Sequence, residues 1–188
     1  MQPRVPFRTQ LLKAWRNSVF NHYRDCLINS ERSLQASLWS NLLSELPSNR
    51  RTFIEPRIRC DSHNPIPRIY PDLIVCNSRS VIATIELKYT PRTNPRYSKD
   101  LRTLNWIAEN KSNLYVENER YSGKTPLTKR YPFAKNTLFI WASIHKRPRS
   151  PINAATLAVA YPSLANCFVE FHAETNQNGD PIIGHSVN

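Results

Sequence analysis

Three ionisable residues stand within two apolar stretches near the middle of the chain: Asp72, Glu86 and Lys88. The stretches, residues 69–76 and 81–89, flank a short polar run, and this pattern predicts a β-hairpin whose strands are buried on both faces. Ionised side chains are seldom found in such strands unless they are paired or bind a metal. A catalytic metal site is the interpretation that accounts for all three charges.

The register of the predicted hairpin decides whether the two acids meet. With a loop of residues 78–80, Asp72 falls directly opposite Glu86. Carboxylates in opposed positions have Cβ atoms about 4.5–5.5 Å apart and repel each other, so they need a proton or a cation between them. Glu86 and Lys88 are two positions apart and share a face, which gives the hard-oxygen environment that Mg²⁺ favours, beside an ammonium. A loop one residue shorter or longer would break this pairing.

The dipeptide Pro71-Asp72, thirteen further residues and then Glu86-Leu87-Lys88 resemble the signature of the PD-(D/E)XK nuclease superfamily. The context adds weight, because the acid opens one apolar strand, the second acid and the base end the next, and a helical pattern lies upstream. The resemblance covers residues 30–145. It implies an α/β fold with a restriction-endonuclease-like core, in which helices flank a mixed central sheet in the order αβββαβ.

The same resemblance implies a Mg²⁺-dependent endonuclease that hydrolyses phosphodiester bonds, with Mn²⁺ as a substitute metal. It assigns the metal to the carboxylates of Asp72 and Glu86 and to the backbone carbonyl of Leu87. Lys88 would contact the attacking water and the negative charge that develops on the phosphate. DNA is the expected substrate because most of the superfamily acts on DNA, although the residues themselves do not distinguish DNA from RNA.

A further catalytic acid from the first core helix is common in the superfamily, and Glu31 is the candidate. Glu31-Arg32, with Leu at +3 and +7, is similar to the Glu-Arg helix opening of archaeal Holliday junction resolvases. Glu55, on the first predicted strand, is the rival. An acid in the first turn of a helix is in any case stabilised by the helix dipole. Gln35 lies one turn after Glu31 and could face the same cleft or the surface.

Two other interpretations stay open at this point. In the first, the chain is an ordinary α/β domain in which Lys88 forms a cross-strand ion pair with one acid. In the second, it is a non-catalytic nucleic-acid-binding module of a larger assembly. The intact set of two acids and a lysine argues against the second interpretation, because binding alone does not need buried carboxylates.

The chain of 188 residues carries a net charge of +12, which favours attraction to polyanions. Residues 120–149 hold eight basic residues and no acid, whereas residues 150–188 hold three acids and no Lys or Arg. The cationic surface is therefore expected to be local, and nucleic acid is the expected partner. The candidate phosphate contacts are Arg92, Arg96, Lys99, Arg102, Lys124, Lys129 and Arg130.

The length fits a single domain over residues 1–188. Residues 1–29 are expected to form a basic helical extension, 30–145 the core, and 146–188 additional strands and a frayed polar tail. Helices are predicted at about 10–23, 31–46 and 98–109. Outside the hairpin, strands are predicted at about 52–55, 137–144, 154–160 and 166–171, and residues 111–134 are expected to be irregular.

No apolar segment near the first residues resembles a signal peptide, and no run of about twenty apolar residues could span a membrane. The four cysteines, at positions 26, 60, 76 and 167, lack metal-binding spacing and are expected to be reduced thiols. We therefore expect a cytoplasmic protein with no membrane partner. The sequence is compatible with a homodimer or a larger assembly.

Overall fold

Helices lie on both faces of a curled mixed sheet in this computed structural model, which describes residues 6–61, 66–121, 126–146, 150–176 and 178–187. The helices are α1 (Phe7–Asn17), continued by a π-helix over Ser18–Tyr23, α2 (Glu31–Glu45), α3 (Ser98–Asn110) and α4 (Ala154–Ala160). The strands are β1 (Arg51–Ile54), β2 (Ile58–Cys60), β3 (Leu73–Cys76), β4 (Val81–Thr90), β5 (Leu114–Tyr121), β6 (Pro126–His145), β7 (Phe168–Thr175) and β8 (Pro181–Val187). The predicted α/β class with a mixed sheet is confirmed.

The eight strands form one sheet through the long strand β6. The order is β1-β3-β4-β6-β5-β2, and β7 and β8 follow β6 on a second branch. Strand β6 runs parallel to β4 and β7, and the other pairs are antiparallel. The first part of β6 pairs with β5, and its second part lies between β4 and β7. The sheet therefore places β4, which carries two of the three candidate residues, in its interior.

The β3–β4 hairpin has the predicted register over most of its length, although its turn differs. The N–H of Asn77 donates to the carbonyl of Ser80 at 2.9 Å, so the loop is one residue shorter than predicted. Ile82 is a β-bulge, because Cys76 pairs with Val81 whereas the next pair is Val75 with Ala83. The bulge compensates for the shorter loop. The ladder ends with Leu73 opposite Ile85, and continuing the same register by one residue sets Asp72 opposite Glu86.

Alternation along the hairpin supplies two hydrophobic cores. Leu73 and Val75 point to the face covered by α1 and α2, whereas Ile74 and Cys76 point to the face covered by α3 and α4. All four β3 residues are buried, as the apolar pattern predicted. Because Asp72 has the same parity as Ile74, it belongs to the α3 face. Glu86 and Lys88, opposite and beyond it, belong to that face as well.

The N-terminal helices form where their sequence patterns predicted. The side chain of Ser30 accepts a hydrogen bond from the N–H of Ser33, and the side chain of Ser33 accepts one from the N–H of Ser30, which fixes the start of α2. Helix α1 begins three residues before the predicted start, at Phe7. Its side chains Leu11 and Trp15 are fully buried against the sheet and α2. The basic extension therefore packs on the core.

The expectation of irregular structure over residues 111–134 is wrong. Much of this stretch belongs to the β5–β6 hairpin, in which Glu117 pairs with Arg130 across the strands and their side chains lie 2.9 Å apart. Polar residues dominate the outward positions and mask the strand period in the sequence. Tertiary pairing supplies the backbone hydrogen bonds that local propensity does not predict.

The predicted strand at 154–160 is instead the helix α4. The side chain of Asn153 accepts a hydrogen bond from the N–H of Ala155 at 2.7 Å and so caps the helix. Alanine is the strongest helix former, and a short apolar run does not by itself separate helix from strand. Only Leu157 of this helix is buried, so the segment is a surface helix with one anchoring side chain.

The expectation of a frayed polar tail is wrong for residues 181–187, which form strand β8. Strand β8 pairs along β7, which is longer than predicted, and Ile183 packs against the core. Cross-strand pairing with β7 therefore orders this segment, which carries Ile182 and Ile183. Cys26, Cys76 and Cys167 carry free thiols, as expected. No helix in the described ranges is both long and apolar enough to cross a membrane.

The edge pair of β7 and β8 depends on a glycine. A Cβ atom at Gly184 would lie 2.1 Å from Nε2 of His172, its partner on β7. We expect Gly184→Ala to lower the free energy of unfolding by about 1–3 kcal/mol through overpacking. Chemical denaturation checks this. In a His172→Ala background the same glycine substitution should cost little, and equal costs in both backgrounds would contradict the proposed contact.

Candidate active site

Asp72 and Glu86 occupy opposed positions on the hairpin, one residue before β3 and six residues into β4. The Oδ2 atom of Asp72 accepts a hydrogen bond of 2.6 Å from the backbone N–H of Leu87. The backbone of Asp72 is held as well, because its carbonyl accepts hydrogen bonds from the N–H of Glu55 at 3.0 Å and from Nε2 of Gln35 at 2.9 Å. The position of the Asp72 carboxylate is therefore fixed from two strands and a helix.

Both opposed acids have raised pKa values. Burial raises the pKa of Asp72 to about 6, even though the hydrogen bond from Leu87 acts in the opposite direction. Burial also raises the pKa of Glu86 well above its ordinary range, and the negative charges of Asp72 and Asp100 add to this effect. Ionisation of either carboxyl group therefore lowers the stability of the folded protein.

Lys88 forms ion pairs with acids from two different helices. Its Nζ atom lies 3.3 Å from Oε2 of Glu31 and 3.7 Å from Oδ2 of Asp100. These distances do not support the alternative of a cross-strand pair between Lys88 and a hairpin acid. Partial burial lowers the pKa of Lys88, but Asp100 and Glu31 outweigh that effect, and the net shift is upward. Lys88 is therefore an ammonium at neutral pH.

The structure places both candidates for the further acid near the site, in different roles. Glu31 contacts Lys88 and also accepts a hydrogen bond of 3.4 Å from the N–H of Tyr89. Glu55 is exposed and lies 3.5 Å from Nε2 of Gln35. Gln35 itself is buried and donates to the carbonyl of Asp72, so it is not a surface residue, although it does not line the cleft described below. Of these two candidates, Glu31 is the one that contacts a predicted catalytic residue, Lys88, directly.

Asp100 is a site residue that sequence reasoning missed. It is only 8% exposed, and its Oδ2 accepts a hydrogen bond of 3.2 Å from Nε1 of the buried Trp141. Burial raises the pKa of Asp100, with Lys88 and Trp141 opposing the shift. A signal was present, because Asp100 shares the helical spacing of Leu104 and Ile107, both fully buried. An acid on the apolar stripe of a helix indicates a buried polar partner.

An open cleft of about 260 Å³ adjoins these acids. Arg68 and Tyr70 line it from the segment before Asp72, and Lys99 and Thr103 line it from α3. A larger cavity of about 390 Å³ lies elsewhere, lined by residues that include Phe7, Arg50 and Asn136. We place the site at the smaller cleft because that is where the perturbed carboxyl groups lie.

The candidate phosphate contacts divide between two regions. Arg92, Arg96, Lys99 and Arg102 are exposed on the loop after β4 and the start of α3, close in sequence to Lys88 and Asp100. Lys129 and Arg130 are exposed on β6, where Arg130 forms ion pairs with Glu117 at 2.9 Å and Asp61 at 3.1 Å. Lys124 lies outside the described residues. The positive charge of Arg130 is thus partly neutralised within the protein.

The donor set suits a magnesium ion held by few side chains. Within the ranges that the structure describes, no cluster of three or more His, Cys, Asp or Glu side chains is arranged to hold a metal ion. Mg²⁺ is commonly held by only one or two carboxylates, with water and substrate phosphate completing its shell. Asp72 and Glu86 offer such oxygens, and a bound cation would favour the ionised forms that burial and neighbouring acids disfavour.

Comparison of the chain with protein-family models, with curated proteins and with solved structures finds no match. The site geometry therefore carries the functional argument.

We expect Asp72→Asn to raise the melting temperature of the metal-free protein at pH 7. The substitution removes a carboxylate that burial and neighbouring acids destabilise, and it keeps an oxygen for the Leu87 N–H. A gain on the order of 1 kcal/mol corresponds to about 2–4 °C for a chain of this size. Thermal unfolding in EDTA measures it, with the exposed Asp180→Asn as the matched control.

The same measurement should depend on pH. Because the pKa of Asp72 is raised from 3.8 to about 6, the folded state binds the proton more tightly than the unfolded state. The resulting stabilisation is present below pH 3.8 and is lost as the pH rises through about 6. The advantage of the Asn variant should therefore shrink between pH 7 and pH 4. If Asp72→Asn is less stable than the wild type at pH 7 in EDTA, the proposed opposition of the Asp72 and Glu86 carboxylates is wrong.

Proposed function

We propose that this protein is a metal-dependent nuclease that hydrolyses phosphodiester bonds. The observation that carries the proposal is the pair of opposed carboxyl groups, Asp72 and Glu86, both with raised pKa values and both beside the ammonium of Lys88. Without a bound cation, the ionised pair lowers the stability of the fold. A protein that only binds nucleic acid gains nothing from that cost, whereas a catalytic metal site does.

The order of the secondary-structure elements supports the proposal. Helix α2, strands β1, β3 and β4, helix α3 and the second part of β6 follow one another in the order that the resemblance implies. The first three of these strands are antiparallel neighbours, and β6 joins them in parallel to β4. Strands β2 and β5 are additions to this order.

In the proposed site, the carboxylates of Asp72 and Glu86 and the backbone carbonyl of Leu87 would hold Mg²⁺, with Mn²⁺ as a substitute. The metal would supply an activated water and neutralise charge on the scissile phosphate. The chain contributes orientation, because the Leu87 N–H fixes the Asp72 carboxylate and the strand pairing fixes Glu86 opposite it.

Lys88 acts in this proposal as a fixed positive charge. Glu31 and Asp100 keep it protonated, so it stabilises the negative charge that builds on the phosphate and does not remove a proton from water. Glu31 and Asp100 are then positioning residues that hold the ammonium from the first turns of α2 and α3. DNA is the proposed substrate in preference to RNA, on the ground of the resemblance.

We expect Asp72→Ala, Glu86→Ala and Lys88→Ala each to reduce cleavage at least about a thousandfold, since each removes several kcal/mol of charge stabilisation. Supercoiled plasmid, linear duplex and single-stranded RNA are the substrates, with Mg²⁺, Mn²⁺ or EDTA. The exposed residues Glu109 and Lys135 provide matched alanine controls.

Mg²⁺ or Mn²⁺ should also raise the melting temperature of the wild type more than that of Asp72→Ala, by mass action. Cleavage by the wild type at an unchanged rate in excess EDTA would refute the metal mechanism. If no substrate is cleaved with either metal, the chain is the non-catalytic binding module.

The position of the nucleic-acid surface can be tested by salt dependence. The slope of log affinity against log salt is negative. Replacing Arg92, Arg96 and Arg102 together by Ala should reduce its magnitude by roughly 2–3 units, at about 0.7–0.9 per phosphate contact. Lys129→Ala with Arg130→Ala should lower it less, because Glu117 and Asp61 already offset the charge of Arg130. If the Lys129 and Arg130 substitutions reduce the slope more than the three arginine substitutions do, the nucleic-acid surface lies on the β5–β6 hairpin.

A further inference from the structure

Tyr70 presents an aromatic ring at the mouth of the cleft, two positions before Asp72. It is 50% exposed, although its neighbours Ile69 and Pro71 are both buried. The chain on each side is held, because the carbonyl of Ile69 accepts a hydrogen bond of 3.1 Å from the N–H of Ile58, and the carbonyl of Asp72 accepts two. The held backbone therefore carries an exposed aromatic side chain in the lining of the cleft that also contains Glu86 and Asp100.

Basic side chains flank the same cleft. Arg68 stands beside Tyr70 on one side, and Lys99 stands on α3 at the other, both exposed. Glu86 and Asp100 line the cleft as well, but they are more buried and form its deeper part. The cleft therefore combines cations at its rim, acids at depth and one aromatic face. Phosphates suit the rim, a metal suits the depth, and a nucleobase suits the ring.

We infer that the cleft takes a single-stranded segment of nucleic acid, with the base next to the scissile phosphate stacked on Tyr70 and the flanking phosphates on Arg68 and Lys99. The inference rests on the proposed function, which puts the scissile phosphate at Asp72 and Glu86. It goes further in naming an unpaired strand, of DNA or RNA, as the substrate class.

A single strand suits these features better than a duplex. Bases within a duplex are already stacked on their neighbours, and exposing one to a protein ring requires unstacking. A single strand offers free base faces, and aromatic side chains bind them with little regard to sequence. A cleft of about 260 Å³ is below the range of about 300–1,000 Å³ for sites that enclose a whole drug-sized ligand. It therefore suits one unstacked nucleotide of a longer strand.

A lone exposed tyrosine is common on protein surfaces and by itself indicates no partner. Tyr70 is distinguished by its held backbone two positions before Asp72 and by the cleft that it shares with Arg68, Lys99 and Glu86. Aromatic stacking can also be separated from simple apolar packing, because leucine has similar apolar bulk and no ring, while phenylalanine keeps the ring and loses the hydroxyl.

The test is binding of the full chain in EDTA to fluorescently labelled oligonucleotides, so that no cleavage occurs. The probes are a twelve-nucleotide single strand of DNA, the same sequence as RNA, and a blunt DNA duplex. Tyr70→Ala and Tyr70→Leu should weaken binding of a single strand by about 5- to 150-fold, and Tyr70→Phe should bind nearly as the wild type does. Binding of the duplex should change less than about twofold, since its bases stay stacked.

The Ile182→Ala variant, which removes an equally exposed apolar side chain from β8, is the matched control and should leave all three affinities unchanged. Melting temperatures establish that each variant is folded, and if Tyr70→Ala unfolds, the comparison of Leu with Phe decides. The two single-stranded probes show whether the sugar matters.

Equal affinities of Tyr70→Leu and wild type for both single strands would overturn the inference, as would an equal loss on the duplex. Because this readout needs neither metal nor cleavage, it is independent of the proposed activity. Tyr70-dependent binding without cleavage under any metal would refute the nuclease and leave the single-strand site standing.

Discussion

The opposition of Asp72 and Glu86 is the constraint on which the site depends. Two carboxyl groups are held against each other by a strand register, and the Leu87 N–H fixes one of them. Burial raises the pKa values of both groups, and neighbouring negative charges add to the effect. A register shift by one residue would send one carboxylate to the opposite face of the sheet. The bulge at Ile82 therefore decides the geometry of this pair, since it restores the register that the short turn would otherwise lose.

Two helices complete what the hairpin begins. Glu31 lies in the first turn of α2 and Asp100 in the first turn of α3, and both carboxylates reach Lys88. Acids in these positions are stabilised by the helix dipole, so the two helix starts can hold negative charge beside the hairpin acids at reduced cost. Lys88 in turn stays charged, because the two acids more than compensate for its partial burial. The ammonium is therefore available as a fixed charge, and its position is set by elements on both sides of the sheet.

The sheet supplies the rigidity that this arrangement needs. Strand β4 pairs with β3 as far as Ile85 and with β6 as far as Thr90, so the backbone that carries Glu86 and Lys88 is held by its pairing with β6. Apolar clusters cover both faces, one with α1 and α2 and the other with α3 and α4. The cleft lies where the segment before Asp72 meets α3 and β4; its basic residues come from that segment and α3, and its acids from β4 and α3. A polyanion attracted by the net charge of +12 would meet carboxyl groups in this cleft, and a bound metal could neutralise their charge.

The sequence by itself determined the hairpin, the helices α2 and α3 and the mixed α/β class, because each depends on local periodicity, capping or two-residue alternation. The facing of Asp72 and Glu86 was predicted with a loop one residue too long, and the bulge at Ile82 is what preserves it. Asp100 lies on the apolar stripe of α3, a sequence pattern that indicates a buried acid. Only the tertiary structure decided that Lys88 pairs with Glu31 and Asp100, since those contacts join residues far apart in the chain. Strand β5 was likewise decided by its partner, because its polar residues have weak strand propensity and cross-strand hydrogen bonds order it. Strand β8 carries Ile182 and Ile183 but is interrupted by Gly184, and its pairing with β7 orders it. The helix α4 was ambiguous for the complementary reason: a short apolar run suits either structure, and a single capping side chain with one buried leucine selected the helix.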